Sequence, residues 1–248
     1  MESDIYKQWY EFEKDHWWTM GMRRMCGDML NRFCTSQKDV AILDIGCGTG
    51  GLTRTLGHFG NVYGADISEE AVAFCKKRGI RGLVRTSAEN AGFKRNSFST
   101  IIAFCLIEHI AKEEAFLKEM HRILKKDGHL VILTSAFQFL WSRHDDLAHH
   151  KRRYTSRSLK QIMQESDFSI KKLSYVNSFL FPGIAAIRIM QRYGYFCAPK
   201  EDRFLLDVFY VPRLLNKILY RILRIESKML KFINFPFGVG LICVGKKH

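Results

Sequence analysis

Two periodicities alternate along the chain between residues 40 and 134. Short aliphatic runs typical of buried strands lie near 40–45, 61–66, 82–85, 98–104 and 129–134. Amphipathic segments with helical spacing separate them, near 51–58, 69–78 and 113–124. This alternation predicts an α/β fold in which a parallel sheet carries helices on both faces. We also expect a helical N-terminus over residues 3–33.

The C-terminal part adds two predicted strands, Ser169–Val176 and Phe237–Gly245. The apolar segments 179–187 and 204–212 lie between them, and each is shorter than the ~20 residues that a membrane-spanning helix needs. We expect a helical, apolar and basic cap here that forms either a hydrophobic lid or tunnel or a surface resting on lipid. The chain is thus predicted to be one domain over 1–248, with N-terminal helices (1–38), a core (39–178), the cap (179–234) and a final strand (235–248).

A glycine-rich turn follows the first predicted strand. Residues 41–50 run from aliphatic residues through Asp44 to Gly46, Gly48 and Gly50. A strand that breaks into such a turn lets backbone approach a ligand closely, because glycine has no Cβ. The second strand ends in Asp66, whose carboxylate is placed either to accept hydrogen bonds from ribose hydroxyls or to cap the next helix.

The run Asp-Ile-Gly-Cys-Gly-Thr-Gly resembles motif I of the class I S-adenosylmethionine-dependent methyltransferases. The resemblance implies a Rossmann-like sheet of seven strands, whose last strand runs antiparallel between strands 5 and 6, and S-adenosyl-L-methionine as cofactor. It predicts the following cofactor-binding residues: Asp44, Gly46, Cys47, Gly48, Gly50, Asp66, Ile67, Ala88, Glu89 and Phe104. Ser87 stands where the family usually has an Asp that contacts the adenine amino group.

The loop after the fifth strand carries a second resemblance. Residues 144–155 match the pattern H-D-x-x-x-x-H-x-R-R-Y-T of a bacterial branch of the same family. Methyl transfer to a hydroxyl requires alignment and the removal of a proton, and histidine titrates near neutrality. The candidate bases are His150, His144 and His109. The alternatives are a His150 that orients Asp145 and a His109 that is structural or adjacent to the cofactor.

Four further residues are predicted to contact the acceptor: Arg152, Arg153, Tyr154 and Trp18. An arginine can bind a phosphate or carboxylate bidentately. Trp18 either closes over the cofactor or belongs to a helix packed on the core. Some quinone-ring O-methyltransferases of this fold bind a metal on a Glu-x-x-Glu-His run, but Cys105 replaces the first glutamate here. No metal site is therefore predicted.

Most of the formal net charge of +14 lies in the C-terminal part, because residues 150–248 contain 19 Lys or Arg and 6 Asp or Glu. On a helix over 213–233, the cations fall within an arc of about 80° and apolar residues fill roughly the opposite half. This pattern predicts either a helix lying on an anionic bilayer or one packed on the core. Glu226 falls in the apolar arc, where we expect either an ion pair with an arginine or a role in orienting substrate.

Three functions remain open at this stage. The first is O-methylation of a small amphipathic, lipid-linked or glycan-type acceptor at a membrane surface. The second is nucleic-acid methylation, and the third is a non-catalytic, cofactor-binding scaffold. Phe104-Cys105-Leu106-Ile107 replaces the Asn/Asp-Pro-Pro-Tyr run of base methylases, so we expect no specific nucleic-acid partner. Scattered cysteines and the lack of a signal-peptide pattern predict a cytoplasmic protein, either free or peripheral on the inner face of the membrane.

Overall fold

The computed structural model describes residues 3–34, 40–192 and 211–248, and a seven-stranded sheet forms its centre. The strands are β1 (Ala41–Ile45), β2 (Asn61–Asp66), β3 (Gly82–Arg85), β4 (Phe98–Phe104), β5 (Leu124–Ser135), β6 (Phe168–Val176) and β7 (Gly240–Lys247). Their order is β3-β2-β1-β4-β5-β7-β6, and β7 lies antiparallel between β5 and β6 while the other pairs are parallel. The predicted Rossmann-like sheet is confirmed.

Helices connect and cover these strands. They are α1 (Ser3–Phe12), α2 (Trp17–Phe33), α3 (Gly51–Thr55), α4 (Glu69–Lys77), α5 (Glu113–Ile123), α6 (Arg143–Leu147), α7 (Ser156–Glu165), α8 (Phe181–Arg192) and α9 (Arg213–Leu230). Short 3-10 turns occupy Leu56–His58, Ile107–His109 and Gln138–Leu140. The predicted N-terminal helices and the helical cap before the last strand are present.

Two predicted strand boundaries are shifted. β5 begins at Leu124 because that residue already pairs with Phe98 of β4, ahead of the turn-like Asp127 at φ 62°. β7 begins three residues late, at Gly240, because its partners β5 and β6 end opposite that residue. In the cap, most of the first apolar segment, 179–187, forms the start of α8. Residues 204–210 of the second segment, 204–212, lie outside the described residues.

Successive side chains of a strand point to opposite faces of the sheet, and a hydrophobic cluster buries each face. Leu43 and Ile101 contribute to a cluster that includes Phe116 of α5. Their strand neighbours Ile42 and Ile102 contribute to a second cluster, which includes residues of α2 and α9. The strand order reverses between β1 and β4, so the loops that follow β1, β2, β4 and β5 meet at one edge of the sheet, where such folds bind ligands.

One side of α9 packs on α2. Leu223 lies so close to Gly21 that a Cβ on the glycine would be 2.3 Å from the leucine Cδ1. Asp28 of α2 is 2.8 Å from Lys231 Nζ and accepts a 2.7 Å hydrogen bond from Ser227. The prediction that this helix packs on the core is therefore confirmed for one side of its apolar arc, although other apolar side chains of α9 remain exposed.

Glu226 of α9 has partners that the sequence did not predict. Its buried carboxylate accepts a 3.2 Å hydrogen bond from the backbone N–H of Phe179, and the N–H groups of Asn177 and Ser178 also point to it. Within the described ranges no arginine pairs with it, so the expected ion pair is wrong. The carboxylate instead ties α9 to the junction between β6 and α8.

Candidate functional site

The loop between β1 and α3 is an open cradle of backbone. Gly46, Gly48 and Gly50 have φ values of 73°, 53° and 82°, in the left-handed region that favours glycine. A Cβ on Gly48 would meet nothing within 4 Å, so this turn faces open space. The N–H groups of Gly46 and Cys47 are both held by the carbonyl of Ala65, which fixes the loop against β2. The cradle is thus rigid and accessible to a ligand.

Asp44 lies beneath this cradle at the end of β1. Its buried carboxylate accepts a 2.6 Å hydrogen bond from the Thr53 hydroxyl of α3. Burial raises the pKa of Asp44 to about 7, and the negative charges of Asp66 and Glu13 act in the same direction. A cationic ligand in the cradle would favour the ionised form of this carboxyl.

Asp66 joins the cradle to the end of β2. One carboxylate oxygen accepts a 2.9 Å hydrogen bond from Gly48 N–H, and the other accepts a 2.9 Å bond from Ser68 N–H. The helix cap at α4 comes from the Ser68 hydroxyl, which accepts from Ala71 N–H. Beside Asp66, Ile67 leaves 69% of its surface exposed, which provides an apolar patch next to the cradle.

A further acid reaches this loop from the N-terminus. Buried Glu13 accepts hydrogen bonds from the Thr49 hydroxyl and from Arg78, which it approaches to 2.5 Å. Arg78 also donates to the carbonyls of Thr49 and Tyr10. Sequence reasoning missed Glu13 because its partners lie 36 and 65 residues away. The available signal was an acid three residues before the run His16-Trp17-Trp18.

The chemistry of this site fits S-adenosylmethionine. Three carboxylates, Asp44, Asp66 and Glu13, surround the glycine loop, and one of them is countered by Arg78. The cofactor carries a sulfonium, an ammonium group and one carboxylate, so its net charge is positive and the surplus negative charge of the site is of the right sign. The open turn at Gly48 and the apolar patch at Ile67 suit its remaining parts.

The remaining predicted cofactor residues lie along the same edge. Ala88 is buried after β3, and Glu89 accepts a 2.6 Å hydrogen bond from the Ser87 hydroxyl. Phe104 ends β4, two residues before Leu106, whose side chain fills the space beside Gly46. Leu106 therefore connects the cradle to the turn that carries Glu108 and His109.

Asp145 of α6 organises the loop after β5. Its fully buried carboxylate accepts hydrogen bonds from Arg153 Nε at 2.8 Å, Arg153 Nη2 at 2.9 Å and Ser142 N–H at 2.8 Å. His150 Nδ1 lies 2.8 Å from Asp145 Oδ1. Burial alone would raise the pKa of Asp145, but the His150 hydrogen bond and the Arg153 charge hold it well below its usual range. The carboxylate is thus a fixed anion.

Three histidines lie together at this point. The ring of His150 is edge-on to His109 at 4.7 Å between centroids and to His144 at 5.9 Å. Burial lowers the pKa of His109 to about 4, with a contribution from His150, and burial lowers the pKa of His144 to about 4 as well. Both rings are neutral at physiological pH. The structure thus brings the three predicted bases together around one carboxylate.

Buried Glu108 supports the same turn from below. It accepts hydrogen bonds from Thr134 Oγ1 at 2.9 Å and Ser135 Oγ at 3.3 Å, both at the end of β5. Burial raises the pKa of Glu108. The backbone carbonyl of this residue also accepts a 2.8 Å bond from Lys151 N–H. Glu108 thereby fixes the histidine-bearing loop against the sheet.

The predicted acceptor-binding residues have protein partners. Arg153 Nη1 donates a 2.9 Å hydrogen bond to the carbonyl of Ala136, in addition to the bonds of this side chain with Asp145. Tyr154 is buried and donates its hydroxyl to Glu113, which lies 2.7 Å from Arg152. Trp18 is half-buried and packs edge-on to Trp9 at 6.3 Å. These contacts give Arg153 and Tyr154 a role in holding the loop.

Within the described ranges, no group of three or more His, Cys, Asp or Glu side chains is arranged to hold a metal ion. The cysteines that the structure describes are free thiols, and Cys197 lies outside those residues.

Comparisons with known proteins agree with this architecture. Residues 43–132 match a family model described as a methyltransferase domain. An uncharacterised protein of Methanocaldococcus jannaschii is 39% identical over 88 residues, which are 35% of this chain and 34% of that protein. The 2-phytyl-1,4-naphtoquinone methyltransferase of Nostoc punctiforme is 24% identical over 199 residues, 76% of this chain and 75% of that protein.

The chain spans about a third of the length of the first two curated relatives that it matches. Among solved structures, a putative methyltransferase in complex with the Haloferax volcanii Trm112 methyltransferase activator has a TM-score of 0.61 at 16% identity. The match covers 99% of this chain and 97% of that one. At this identity the likeness shows the fold.

Proposed function

We infer that this chain, a class I S-adenosylmethionine-dependent methyltransferase, methylates a hydroxyl oxygen of a small acceptor bound where β4 and β5 end. The pairing of His150 with Asp145 at this edge of the sheet supports the inference most directly. A hydroxyl acceptor must lose a proton during methyl transfer, and a histidine beside a fixed carboxylate is suited to take it. Two contacts link this pair to the glycine cradle: the Leu106 side chain lies beside Gly46, and the His109 ring on the same turn lies 4.7 Å from that of His150.

The cofactor supplies a methyl group that is already activated on a sulfonium. We propose that Asp44 and the backbone of Gly46, Cys47, Gly48 and Gly50 hold its methionine part. Asp66 is the proposed partner of the ribose hydroxyls, and Ile67 the apolar surface for adenine. The other proposed contacts along this edge are Ala88, Glu89 and Phe104.

Proton transfer is assigned to His150. Donation of its Nδ1–H to Asp145 leaves Nε2 as the acceptor, because a neutral imidazole carries one proton. Asp145 positions the ring and stabilises the imidazolium that forms when the proton is taken. The rings of His109 and His144 pack against that of His150. Because both are neutral at physiological pH, they add no positive charge beside the imidazolium. We propose His109 as the alternative base.

A labelled-methyl transfer assay tests this function. The protein is incubated with S-adenosylmethionine carrying a labelled methyl group and, in separate reactions, with a small-molecule extract, a lipid extract and total RNA. His150→Ala should reduce turnover while leaving cofactor affinity unchanged, and Asp145→Asn should also reduce turnover. His58→Ala, at an exposed histidine, is the matched control. Unchanged turnover in His150→Ala would move the base elsewhere, and labelled RNA as the product would favour the nucleic-acid alternative.

We propose that the acceptor is amphipathic and is met at an anionic membrane surface. On α9, Leu214, Ile225 and Phe232 beyond its end are exposed, with 73% and 80% of Leu214 and Phe232 accessible. The neighbouring sector of the helix carries five exposed cations, Arg213, Lys217, Arg221, Arg224 and Lys228. Apolar side chains flanked by cations suit a helix lying in the interface plane. A relative that acts on a phytyl naphthoquinone supports an apolar acceptor.

Among the described helices, none is long and apolar enough to cross a membrane. We propose that the association is peripheral, on the inner face. Co-sedimentation with phosphatidylcholine vesicles, with and without phosphatidylglycerol, tests it. Wild type should sediment with the anionic vesicles, and Ile225→Glu should reduce this. Val84→Glu, at an exposed position on β3, is the matched control. Equal sedimentation of wild type and Ile225→Glu would contradict the membrane assignment.

A further inference from the structure

Arg188 of α8 reaches the loop after β5 from the helical cap. Its Nη1 donates a 2.9 Å hydrogen bond to the carbonyl of Leu140 and lies 3.7 Å from Asp145 Oδ2. The second distance exceeds a hydrogen bond. The carboxylate of Asp145 already accepts hydrogen bonds from Arg153, His150 and Ser142, so its charge compensates that of Arg188 only weakly.

This cluster carries more positive than negative charge. Two guanidinium groups, those of Arg153 and Arg188, face the carboxylate of Asp145. Among the described residues, Asp145 is the acid whose negative charge raises the pKa of Arg188. Burial lowers the pKa of Arg188 to about 10, and the Arg153 cation adds to the effect, yet the group remains protonated at neutral pH. Its side chain is 18% exposed. A largely desolvated cation with incomplete compensation favours an incoming anion.

An aromatic surface lies on the same side of α8. Phe181 is seven residues before Arg188, so both side chains lie on one face of the helix. Phe181 contacts Phe137 at 6.1 Å and Phe237 at 5.4 Å between ring centroids. Phe137 is stacked on Tyr175 at 4.7 Å and has a φ of 57°, a costly conformation for a bulky residue that is typical of ligand-binding segments.

We propose that Arg188 binds an anionic group, a carboxylate or phosphate, on an acceptor whose apolar part lies against Phe137 and Phe181. The proposal rests on the proposed methyl transfer, which it deepens by assigning the acceptor class. A guanidinium can offer two parallel N–H groups to such an oxyanion. Arg153 then holds Asp145, and Arg188 takes the recognition role that the sequence suggested for Arg152 and Arg153.

Phenyl phosphate is a suitable probe because it joins an aromatic ring to an oxyanion, and phenol is its neutral counterpart. Both are titrated by calorimetry into the full chain saturated with S-adenosylhomocysteine. Phenyl phosphate should bind wild type more tightly than phenol does. Arg188→Met should weaken phenyl phosphate by about tenfold or more, as expected for the loss of a charge-assisted bidentate contact.

Arg157→Met, at an exposed arginine on α7, controls for general charge and should not change the affinity. Arg188→Lys keeps the charge but not the bidentate geometry, so it should give an intermediate loss even if Arg188→Met loosens α8. Equal affinity of wild type and both Arg188 variants would overturn the proposal, as would wild type binding phenyl phosphate no better than phenol. Absence of S-adenosylhomocysteine binding would instead contradict the proposed function.

Discussion

The Thr53 hydroxyl donates a 2.6 Å hydrogen bond to the buried carboxylate of Asp44. This bond joins the end of β1 to the helix that follows the glycine loop, so the loop is held at both of its ends. Burial raises the pKa of this carboxyl to about 7, and the hydrogen bond from Thr53 opposes that rise. The protonation of Asp44 is therefore sensitive to pH and to bound charge near neutrality.

We predict that cofactor affinity increases with pH. A cationic ligand prefers the ionised form of Asp44, and this form becomes dominant only as pH rises through about 7. Affinity for S-adenosylmethionine, which carries a net positive charge, should therefore rise between pH 5.5 and 7 by up to about tenfold per pH unit and level off above it. Calorimetry across this range measures the slope. Asp44→Asn should bind more weakly with a flat profile, and a flat wild-type profile would contradict the role of Asp44.

Gly48→Arg should abolish cofactor binding, because the side chain would fill the open turn of the cradle. Gly79 is a matched control, since it also has a positive φ, 77°, and open space around its Cβ position. Both substitutions impose similar backbone strain. In a thermal-shift assay, S-adenosylhomocysteine should stabilise Gly79→Arg but not Gly48→Arg. Equal stabilisation of the two variants would show that the ligand binds elsewhere.

Glu226 should affect stability in a pH-dependent way. Burial raises its pKa above the unfolded value, so its stabilising contribution is present at low pH and is lost as pH rises through the folded pKa. Glu226→Gln should therefore be at least as stable as wild type at pH 8. Glu226→Ala should lose about 1–3 kcal/mol of unfolding free energy, because buried N–H groups lose their acceptor. Urea unfolding at pH 5 and pH 8 measures both effects, and a less stable Gln variant at pH 8 would contradict this account.

Glu13→Ala should destabilise the protein and weaken cofactor binding. It leaves Arg78 as a buried, uncompensated cation, which costs about 3–5 kcal/mol in comparable pairs. The double variant Glu13→Ala/Arg78→Met should be less destabilised than the sum of its single variants, because the lone charge is removed. Chemical unfolding measures this coupling. Additive effects would mean that the ion pair does not fasten the N-terminal helices to the glycine loop.

The parts of the fold that depend on local patterns could be predicted from the sequence. The aliphatic runs and the helical spacing between them predicted the strands and helices. The family resemblance implied the place of the last strand between strands 5 and 6, and the glycine spacing located the cradle. The first residues of β5 and β7 differ from the prediction because strand boundaries depend on the pairing partners, such as Phe98 for Leu124 and Val176 for Gly240. Local periodicity carries no information about such partners.

The side-chain partners were much harder to predict. Arg188 directly follows the apolar segment 179–187, and its proposed role depends on the contact of α8 with Leu140. Arg153 was predicted to contact the acceptor, but it donates hydrogen bonds to Asp145, eight residues earlier in the chain. Glu226 was expected to pair with an arginine, but its carboxylate faces the consecutive backbone N–H groups of residues 177–179 instead. In each case the outcome was set by packing between distant elements.

The most direct test of the central claim is calorimetric titration of the wild-type chain with S-adenosylmethionine at pH 8, where Asp44 is predominantly ionised. We predict saturable binding to one site per chain, with S-adenosylhomocysteine competing for it. Binding heats indistinguishable from those of buffer dilution would contradict the assignment of the glycine cradle as a cofactor site, and with it the proposed methyl transfer.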